Sequence, residues 1–279
     1  MELDLLNHAC IKISFQNGTK ILFDPWLDGY AFDDGCGLKY NNPDALDCVK
    51  DCNYLWISHW HTDHFHIPTL KKILQVNPEI TLFENNSYNF QFDAVLKKLG
   101  FKNIIPLYER NRIKIKSNLW IERYPTTGID NMLFIKSEEG NLLNYNDCNI
   151  PVYTRNRLFK KLDKIDILLN NFNHAGKLFD FPLPNDKEIK IRLKNNFKST
   201  IKSFQPKYTI PFASSHYYRA PENIAQNSSL MDSTNLIEID SSVIPLKVGD
   251  KIIFNDSFTD YKIKSSENII LNKTELKVR

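Results

Sequence analysis

Several features that would identify a protein's location or partner are missing from this sequence. No stretch approaches the roughly 20 consecutive apolar residues that a membrane-spanning helix needs, which excludes such a span. The first residues, Met1-Glu2-Leu3-Asp4, carry no basic segment followed by an apolar run, so we expect a cytoplasmic protein without a secretory signal. The formal net charge is only +3 and no block of lysines and arginines stands out, so we expect no nucleic-acid partner.

Cysteine is scarce as well, with five residues in a chain of 279. An odd count in a chain that we expect to be cytoplasmic does not indicate a disulfide framework. Cys48 and Cys52 can share one helical face, but two thiols do not complete a zinc site that needs four ligands. The sequence also lacks the Cys-x-His and Cys-x-x-His pair that holds a Rieske iron–sulfur centre, which excludes that cofactor.

The sequence does contain a regular alternation of strand-like and helical segments. Residues 10–15 alternate, Asn17 and Gly18 favour a turn, and residues 20–23 return, which predicts a β-hairpin. Residues 28–52 are rich in Gly, Asp and Asn and are predicted to form a long loop. An apolar run predicts a buried strand at 54–57, and patterning predicts strands at 80–83, 103–107, 111–116, 118–123, 131–136, 141–145, 166–170 and 208–212, and helices at 67–77, 88–99 and 187–204.

This order of segments predicts two mixed β-sheets that face each other, with helices on their outer sides. The length suits a single domain, and we assign residues 1–279 to it. Residues 236–279, which carry short alternating segments, are expected to form a β-rich C-terminal extension of that domain.

The most informative segment is His59-Trp60-His61-Thr62-Asp63-His64, which directly follows the strand predicted at 54–57. Imidazoles and carboxylates are the ligands that borderline divalent metals prefer. His59 and His61 are two residues apart, so in an extended chain both side chains point the same way and can bind one ion. Asp63 and His64 follow on a turn and can reach a second ion. The segment therefore predicts a pair of ions about 3.5–4 Å apart that activates a water molecule and holds the scissile group.

This His-x-His-x-Asp-His segment resembles the hallmark of the metallo-β-lactamase fold superfamily. The segments 7–10 and 21–27 are similar to the opening of the metallo-β-lactamase-like domain of CMP-N-acetylneuraminate hydroxylases, and to that of the ascorbate-6-phosphate lactonase and N-acylphosphatidylethanolamine phospholipase D type hydrolases. Phe32, residues 57–72 and residues 211–213 are most similar to the hydroxylases. The resemblance extends over residues 5–255 and implies an α+β fold, a four-layer αβ/βα sandwich of two mixed sheets flanked by helices.

The resemblance also implies a set of metal ligands and catalytic groups. Asp147 follows the strand predicted at 141–145, where the superfamily has its bridging aspartate, and His216 follows the strand at 208–212, where it has its last histidine. Asp63 and Asp147 are expected to be the catalytic pair that orients the attacking water. One or two divalent ions are implied, with zinc expected and iron or manganese as alternatives, and the ligands are His59, His61, Asp63, His64, Asp147 and His216.

One histidine of the superfamily has no counterpart in this sequence. Thr126 occupies its position, and threonine is a poor metal ligand. Asp130 or His174 is expected to compensate, or else the ion bound by His59 and His61 is weakly held or absent.

Further side chains are expected to surround the ions. Asp24, at the end of a predicted strand, can accept an imidazole N–H and fix the tautomer of a ligand. His8 is expected to line the pocket, and His66 to begin the helix at 67–77. Tyr217 and Arg219 are expected to bind substrate at the rim, where an arginine suits a phosphate or carboxylate.

These features leave three functions open. The leading one is metal-dependent hydrolysis, in which a metal-bound hydroxide attacks a phosphodiester, lactone, ester or amide of a small-molecule substrate. The second is a di-iron oxygenase or hydroxylase that acts on a nucleotide-linked or amino sugar. Because the Rieske ligands are absent, that enzyme needs an external electron-transfer partner. The third is a non-catalytic relative that binds a ligand.

Overall fold

The computed structural model describes residues 1–85, 92–126, 128–174 and 185–272. Its strands, in chain order, are β1 (Glu2–Asn7), β2 (Cys10–Ser14), β3 (Lys20–Phe23), β4 (Tyr30–Ala31), β5 (Cys36–Leu38), β6 (Tyr40–Asn41), β7 (Tyr54–Trp56), β8 (Thr81–Asn85), β9 (Asn103–Leu107), β10 (Ile113–Lys116), β11 (Leu119–Pro125), β12 (Asn131–Ser137), β13 (Leu142–Asn146), β14 (Ile167–Asn171), β15 (Tyr208–Phe212), β16 (His216–Tyr218), β17 (Asp250–Phe254), β18 (Tyr261–Ser265) and β19 (Ile270–Leu271). The α-helices are α1 (Ile67–Val76), α2 (Phe92–Leu99), α3 (Val152–Phe159) and α4 (Asp186–Phe204), and short 3-10 helices span Asp47–Val49, Ile224–Ser229 and Ser233–Ile239.

Two mixed sheets form the centre of the fold. The first has eight strands in the order β18-β17-β1-β2-β3-β7-β8-β9, and the second has six in the order β10-β11-β12-β13-β14-β15. In the first sheet β3, β7, β8 and β9 are parallel neighbours, and in the second β13, β14 and β15 are. The other neighbours in both sheets pair antiparallel.

The main hydrophobic core lies between these two sheets. Phe23 and Trp56 from the first sheet share this core with Leu142 and Ile210 from the second, and all of them are almost fully buried. Burying each such side chain contributes roughly 1.5–3 kcal/mol.

The outer faces of both sheets are covered by helices. Leu70 and Ile73 of α1 pack with Leu55 and Leu82 of the first sheet, and Phe204 of α4 packs with Leu168 of the second. The predicted four-layer αβ/βα sandwich is therefore confirmed.

Most predicted strands and helices are present within a residue or two, but the long loop predicted at 28–52 is wrong. That segment contains β4 and β5, which pair with each other, and β6. β5 also pairs with β16, and β6 pairs with β19 near the other end of the chain. β1 and α3 were not predicted at all. The first residues of the helix predicted at 88–99 lie outside the described residues, and α2 is described from Phe92.

The segment predicted as a C-terminal extension contributes directly to the first sheet. β17 pairs antiparallel with β1, and β18 pairs with β17, so both extend the sheet beyond β1. The C-terminal strands therefore share the main core, with Ile252 and Phe254 buried in it.

All five cysteines are described, and each is a free thiol. Among the described residues, no helix combines the length and the apolar character needed to cross a membrane.

α1 begins at His66, as the sequence predicted. The backbone of His66 is extended, its side chain accepts a hydrogen bond from the backbone N–H of Thr69, and Pro68 lies in the first turn. His66 Nε2 also lies 3.2 Å from the carbonyl oxygen of Tyr30. His66 therefore acts as the N-cap of this helix and belongs to neither of the clusters of candidate metal ligands described below.

Replacing this cap tests the assignment. We expect His66→Ala to lower the free energy of unfolding by about 1–2 kcal/mol, because the cap hydrogen bond is lost. His66→Asn, which keeps an N-cap acceptor, serves as the control and should lose less. Urea denaturation measures both variants, and bound metal should not change in either. A loss of metal in His66→Ala without a loss of stability would contradict this assignment.

Candidate metal centre

The candidate site lies where the parallel strands of both sheets end. Asp24 follows β3, and the His59–His64 segment begins shortly after β7 in the first sheet. Asp147 follows β13, and His216 comes shortly after β15 in the second. Loops at the carboxyl ends of parallel strands are a common place for ligand sites. The face-to-face packing of the two sheets brings these four segments together.

The backbone is strained at three of these strand ends. Asp24, Asn146 and Ala213 adopt positive φ angles of 37°, 52° and 52°, which non-glycine residues rarely do. Each one turns the chain at a strand end directly before or beside a candidate ligand. Strain of this kind is kept where it positions functional groups.

The first cluster consists of His59, His64 and Asp147, whose ligand atoms lie within 4.8 Å of one another. His64 Nε2 is 3.1 Å from Asp147 Oδ2. Asn171 at the end of β14 donates a hydrogen bond of 3.1 Å to the other carboxylate oxygen of Asp147. The aspartate is therefore held with one oxygen toward the histidines.

The second cluster consists of His8, Asp63 and His64, all of them buried. Asp63 Oδ2 is 3.2 Å from His8 Nε2 and 3.5 Å from His64 Nε2. His64 belongs to both clusters and so links them. The sequence placed His8 only as a pocket-lining residue, whereas the structure brings it within hydrogen-bond distance of Asp63.

His61 and Asp130 lie beside His59. His61 Nδ1 is 2.9 Å from His59 Nε2, and Asp130 Oδ1 is 3.7 Å from the same nitrogen. Thr126 turns its hydroxyl away to donate to the backbone carbonyl of Asp130, at 3.0 Å. The two histidines predicted to share an ion are therefore adjacent, with a carboxylate next to them.

His216 is buried behind His8, with its ring centroid 5.3 Å from that of His8. It is not part of either cluster. His174 lies further away, with Nε2 2.9 Å from the hydroxyl of Ser229 and Nδ1 2.9 Å from that of Tyr218. Both ring nitrogens of His174 therefore face other side chains, and its expected compensation for the missing histidine stays a prediction.

Tyr217 and Arg219 do not line the two clusters of candidate metal ligands. Tyr217 follows His216 in β16 and so points to the opposite face of the strand. The Arg219 guanidinium lies 3.5 Å from the ring centroid of Tyr30 and donates to the carbonyl of Asp34 at 3.0 Å. Both side chains line a surface depression that none of the clustered residues borders.

Asp24 supports the site from below, as the sequence suggested. Its two carboxylate oxygens accept hydrogen bonds of 2.6 Å from the backbone N–H of Ser58 and from the side chain of Asn146. Asp24 Oδ2 also lies 3.4 Å from His64 Nδ1. Asp24 thus links the segments that follow β7 and end β13, one from each sheet, beside His64. These roles of Ser58 and Asn146 were not predicted from the sequence. The only signal for them was their position, directly before His59 and Asp147.

The clustered groups strongly shift one another's pKa values. Burial lowers the pKa of His64, but Asp63 and Asp147 outweigh it and raise that pKa well above its usual range. Burial raises the pKa values of Asp63 and Asp147, but the charge of His64 outweighs it and lowers both. His64 therefore supplies the positive charge that these two buried carboxylates need.

The pKa values of three other groups shift in the direction that favours the neutral form of each group. Burial, with the charge of His64, lowers the pKa of His59 to about 4. Burial, with His8 nearby, lowers the pKa of His216 to about 3. Burial and then the charge of Asp147 raise the pKa of Asp130 to about 6. Neutral imidazole is the protonation state that a divalent metal requires of a histidine ligand, and His59 and His216 are shifted toward it.

Buried polar atoms without hydrogen-bond partners are a second reason why the residues present fit a divalent ion. His8 Nδ1, Asp63 Oδ1 and both ring nitrogens of His216 are buried without a hydrogen-bond partner in the described part of the chain. Each such atom costs about 1–3 kcal/mol if it stays unpaired. Imidazole nitrogens and carboxylate oxygens together are a donor set that zinc, iron and manganese accept.

Comparison with known proteins agrees with this architecture. In curated proteins, the chain is 28% identical over 230 residues to a cytidine monophosphate-N-acetylneuraminic acid hydroxylase from Danio rerio, which covers 76% of this chain and 37% of that protein. The inactive human protein of the same name is 26% identical over 270 residues, covering 88% of this chain and 52% of that protein. The chain thus spans about a third to a half of the length of these relatives.

Solved structures share the fold at low sequence identity. The metallo-β-lactamase fold protein YhfI from Bacillus subtilis has a TM-score of 0.56 and 10% identity, covering 87% of this chain and 94% of that one. A diphosphatase from the PhnP family has a TM-score of 0.52 and 12% identity, covering 88% and 84%. The family model described as "Beta-lactamase superfamily domain" matches residues 2–213, well over half of the chain. The chain therefore belongs to the metallo-β-lactamase superfamily.

Proposed function

We propose that this protein is a metal-dependent hydrolase that acts on a small molecule. The observation that carries the proposal is the pair of buried clusters linked by His64, in which imidazoles and ionised carboxylates converge at the ends of parallel strands. One or two divalent ions would be held by His59, His61, Asp63, His64, Asp147 and His216, with zinc as the expected ion and iron or manganese as alternatives. His8, which lies against Asp63, joins this proposed set.

A bound divalent ion supplies Lewis acidity and makes water a nucleophile near neutral pH. Asp63 would orient the attacking water, because its Oδ1 is buried without a hydrogen-bond partner in the described residues and can accept a hydrogen bond from that water. Asp147 would hold the opposite side of the site, with Asn171 fixing its orientation. Asp24 positions His64 and takes no part in the reaction itself.

The proposed substrate is a phosphodiester, lactone, ester or amide. A cavity of about 410 Å³ adjoins His8 and is lined by Lys39, Phe172, Ser214 and Lys247 among others. This volume lies within the roughly 300–1,000 Å³ of small-molecule sites.

The free thiols support the cytoplasmic location that we propose.

Elemental analysis together with a substrate panel tests this function. We expect the purified protein to contain a divalent metal and to hydrolyse at least one class in a panel of phosphodiesters, lactones, esters and amides. His61→Ala is expected to abolish turnover. Full activity after exhaustive removal of metal would contradict the proposal, and so would metal-loaded protein with no turnover on the whole panel.

A di-iron oxygenase is the second candidate function. The observation that favours it is that the curated relatives named hydroxylases align with 76–88% of this chain. Such an enzyme would need an external electron donor. Elemental analysis separates the two candidates, because two irons per chain with a visible absorption band favour the oxygenase and zinc favours the hydrolase.

A further inference from the structure

We propose that Asp130 supplies the third protein ligand of the metal site that begins at His59 and His61. This half of the centre is then built from two histidines and one carboxylate. The inference rests on the proposed function, because it assumes that the centre binds divalent ions.

The geometry around His59 Nε2 carries the proposal. This nitrogen has His61 Nδ1 at 2.9 Å and Asp130 Oδ1 at 3.7 Å. Two ligand atoms that bind one tetrahedral ion at about 2.0–2.2 Å are roughly 3.3–3.6 Å apart. Both separations are therefore within a few tenths of an ångström of those of shared ligands.

The backbone holds Asp130 in this position. Thr126 accepts a hydrogen bond from Gly128 N–H and donates one to the carbonyl of Asp130, which closes the bend between them. Asn131, the next residue, donates to the carbonyl of Ser58 at 2.9 Å. Because Ser58 directly precedes His59, this hydrogen bond fixes Asp130 relative to the histidine.

Two polar side chains near Asp130 in the chain are engaged with other groups. Arg123 donates to the side-chain oxygen of Asn131 at 2.7 Å, which orients that amide toward Ser58 rather than toward the histidines. The hydroxyl of Thr126 is engaged within its own bend. The Asp130 side chain is only 24% exposed and faces His59.

A carboxylate in place of a third imidazole changes which ion is preferred. Carboxylate oxygen is a harder ligand and suits manganese and iron(II), and two histidines with one carboxylate form the facial set of non-haem iron sites. We therefore expect this half of the centre to accept manganese or iron(II) more readily than a site of three histidines would.

Metal titration of the full chain tests the assignment without any substrate. Demetallated wild type, Asp130→Asn and Asp130→Glu are titrated with zinc and with manganese against a competing chelator. Asp47→Asn serves as the control, because it removes the same charge from a side chain that is 72% exposed. Cobalt(II) absorption spectra report the change in ligand set.

The expected result is that Asp130→Asn weakens binding of one ion at least about 10-fold, since even the loss of a partner outside the coordination shell costs about 10–100-fold. Asp130→Glu should retain more affinity, and Asp47→Asn should match wild type. Asp130→His should shift the preference toward zinc. Thermal unfolding in chelator checks that every variant is folded.

The outcomes separate this inference from the proposed function. If His61→Ala loses an ion while Asp130→Asn binds both metals like Asp47→Asn, the assignment of Asp130 is wrong and the metal centre stands. If none of these variants changes metal binding, the proposed function itself is wrong. A reduced affinity in Asp130→Asn with an altered cobalt spectrum supports the assignment whether or not a substrate is found.

Discussion

Replacing His64 with alanine is expected to remove metal from both halves of the centre and to lower turnover by about 1,000-fold or more. His64 belongs to both clusters, so its loss affects each candidate ion site. It also leaves Asp63 and Asp147 buried without the positive charge that now lies between them. Loss of metal-based charge stabilisation costs several kcal/mol in the transition state, and about 4 kcal/mol corresponds to roughly 1,000-fold.

The matched control for this variant is His66→Ala, since both residues are buried histidines in the same short segment. His66→Ala should lose stability but keep its metal and its turnover per folded molecule. Metal per chain by elemental analysis and initial rates on the best substrate are measured for both. A His64→Ala protein that keeps two ions per chain would show that the clusters are not the metal site.

The second large effect concerns pH. In chelator-treated protein, we expect the free energy of unfolding to fall by roughly 3 kcal/mol between pH 7 and pH 4.5 through His216 alone. Burial lowers the pKa of His216 to about 3, whereas an unfolded histidine titrates near 6.5. Its contribution to stability is therefore complete above about pH 6.5 and is lost as the pH falls toward 3.

Other groups add to this dependence of the unfolding free energy on pH or oppose it. His59, with a pKa lowered to about 4, acts in the same direction as His216. Asp130, with a pKa raised to about 6, acts in the opposite direction, because the folded state then binds its proton first as the pH falls. The difference between wild type and His216→Gln isolates the contribution of His216.

Urea denaturation at pH 7 and at pH 4.5 measures that difference. The variant should lose markedly less stability over this interval than wild type does. Equal losses in the two proteins would show that His216 is not held neutral in the fold. Adding saturating metal at pH 7 should stabilise wild type, because a ligand at about 1,000 times its Kd adds roughly 4 kcal/mol.

Local patterns were sufficient to predict which residues form the centre of the candidate metal site. The His59–His64 segment is contiguous, so its chemistry could be recognised from spacing alone. Asp147 and His216 were placed by their positions after predicted strands together with the family resemblance. The structure places these residues at the strand ends where parallel neighbours meet.

The remaining features depend on contacts between distant parts of the chain. His8 reaches Asp63 because the turn between β1 and β2 packs beside the end of β15, where Ala213 donates to the carbonyl of His8. β5 pairs with the nearby β4, but it also pairs with the distant β16, and β6 pairs with the distant β19. No local pattern in residues 28–52 carries that information.

Tyr217 shows how strand geometry bears on a predicted substrate-binding residue. Successive side chains of a strand point to opposite faces. If His216 points toward the metal clusters, its neighbour in β16 points away from them. That Tyr217 and Arg219 bind substrate stays a prediction, and both side chains line a surface depression away from the clusters.

The pairing of β17 with β1 has a practical consequence for fragments of this protein. A fragment trimmed to residues 2–213, the part that the family model matches, would lack β17 and would also lack His216. β1 would then become an exposed edge strand with unpaired backbone groups along Leu3 and its neighbours, and such edges promote aggregation. Insolubility of that fragment would follow from the missing strand and would say nothing about the metal centre.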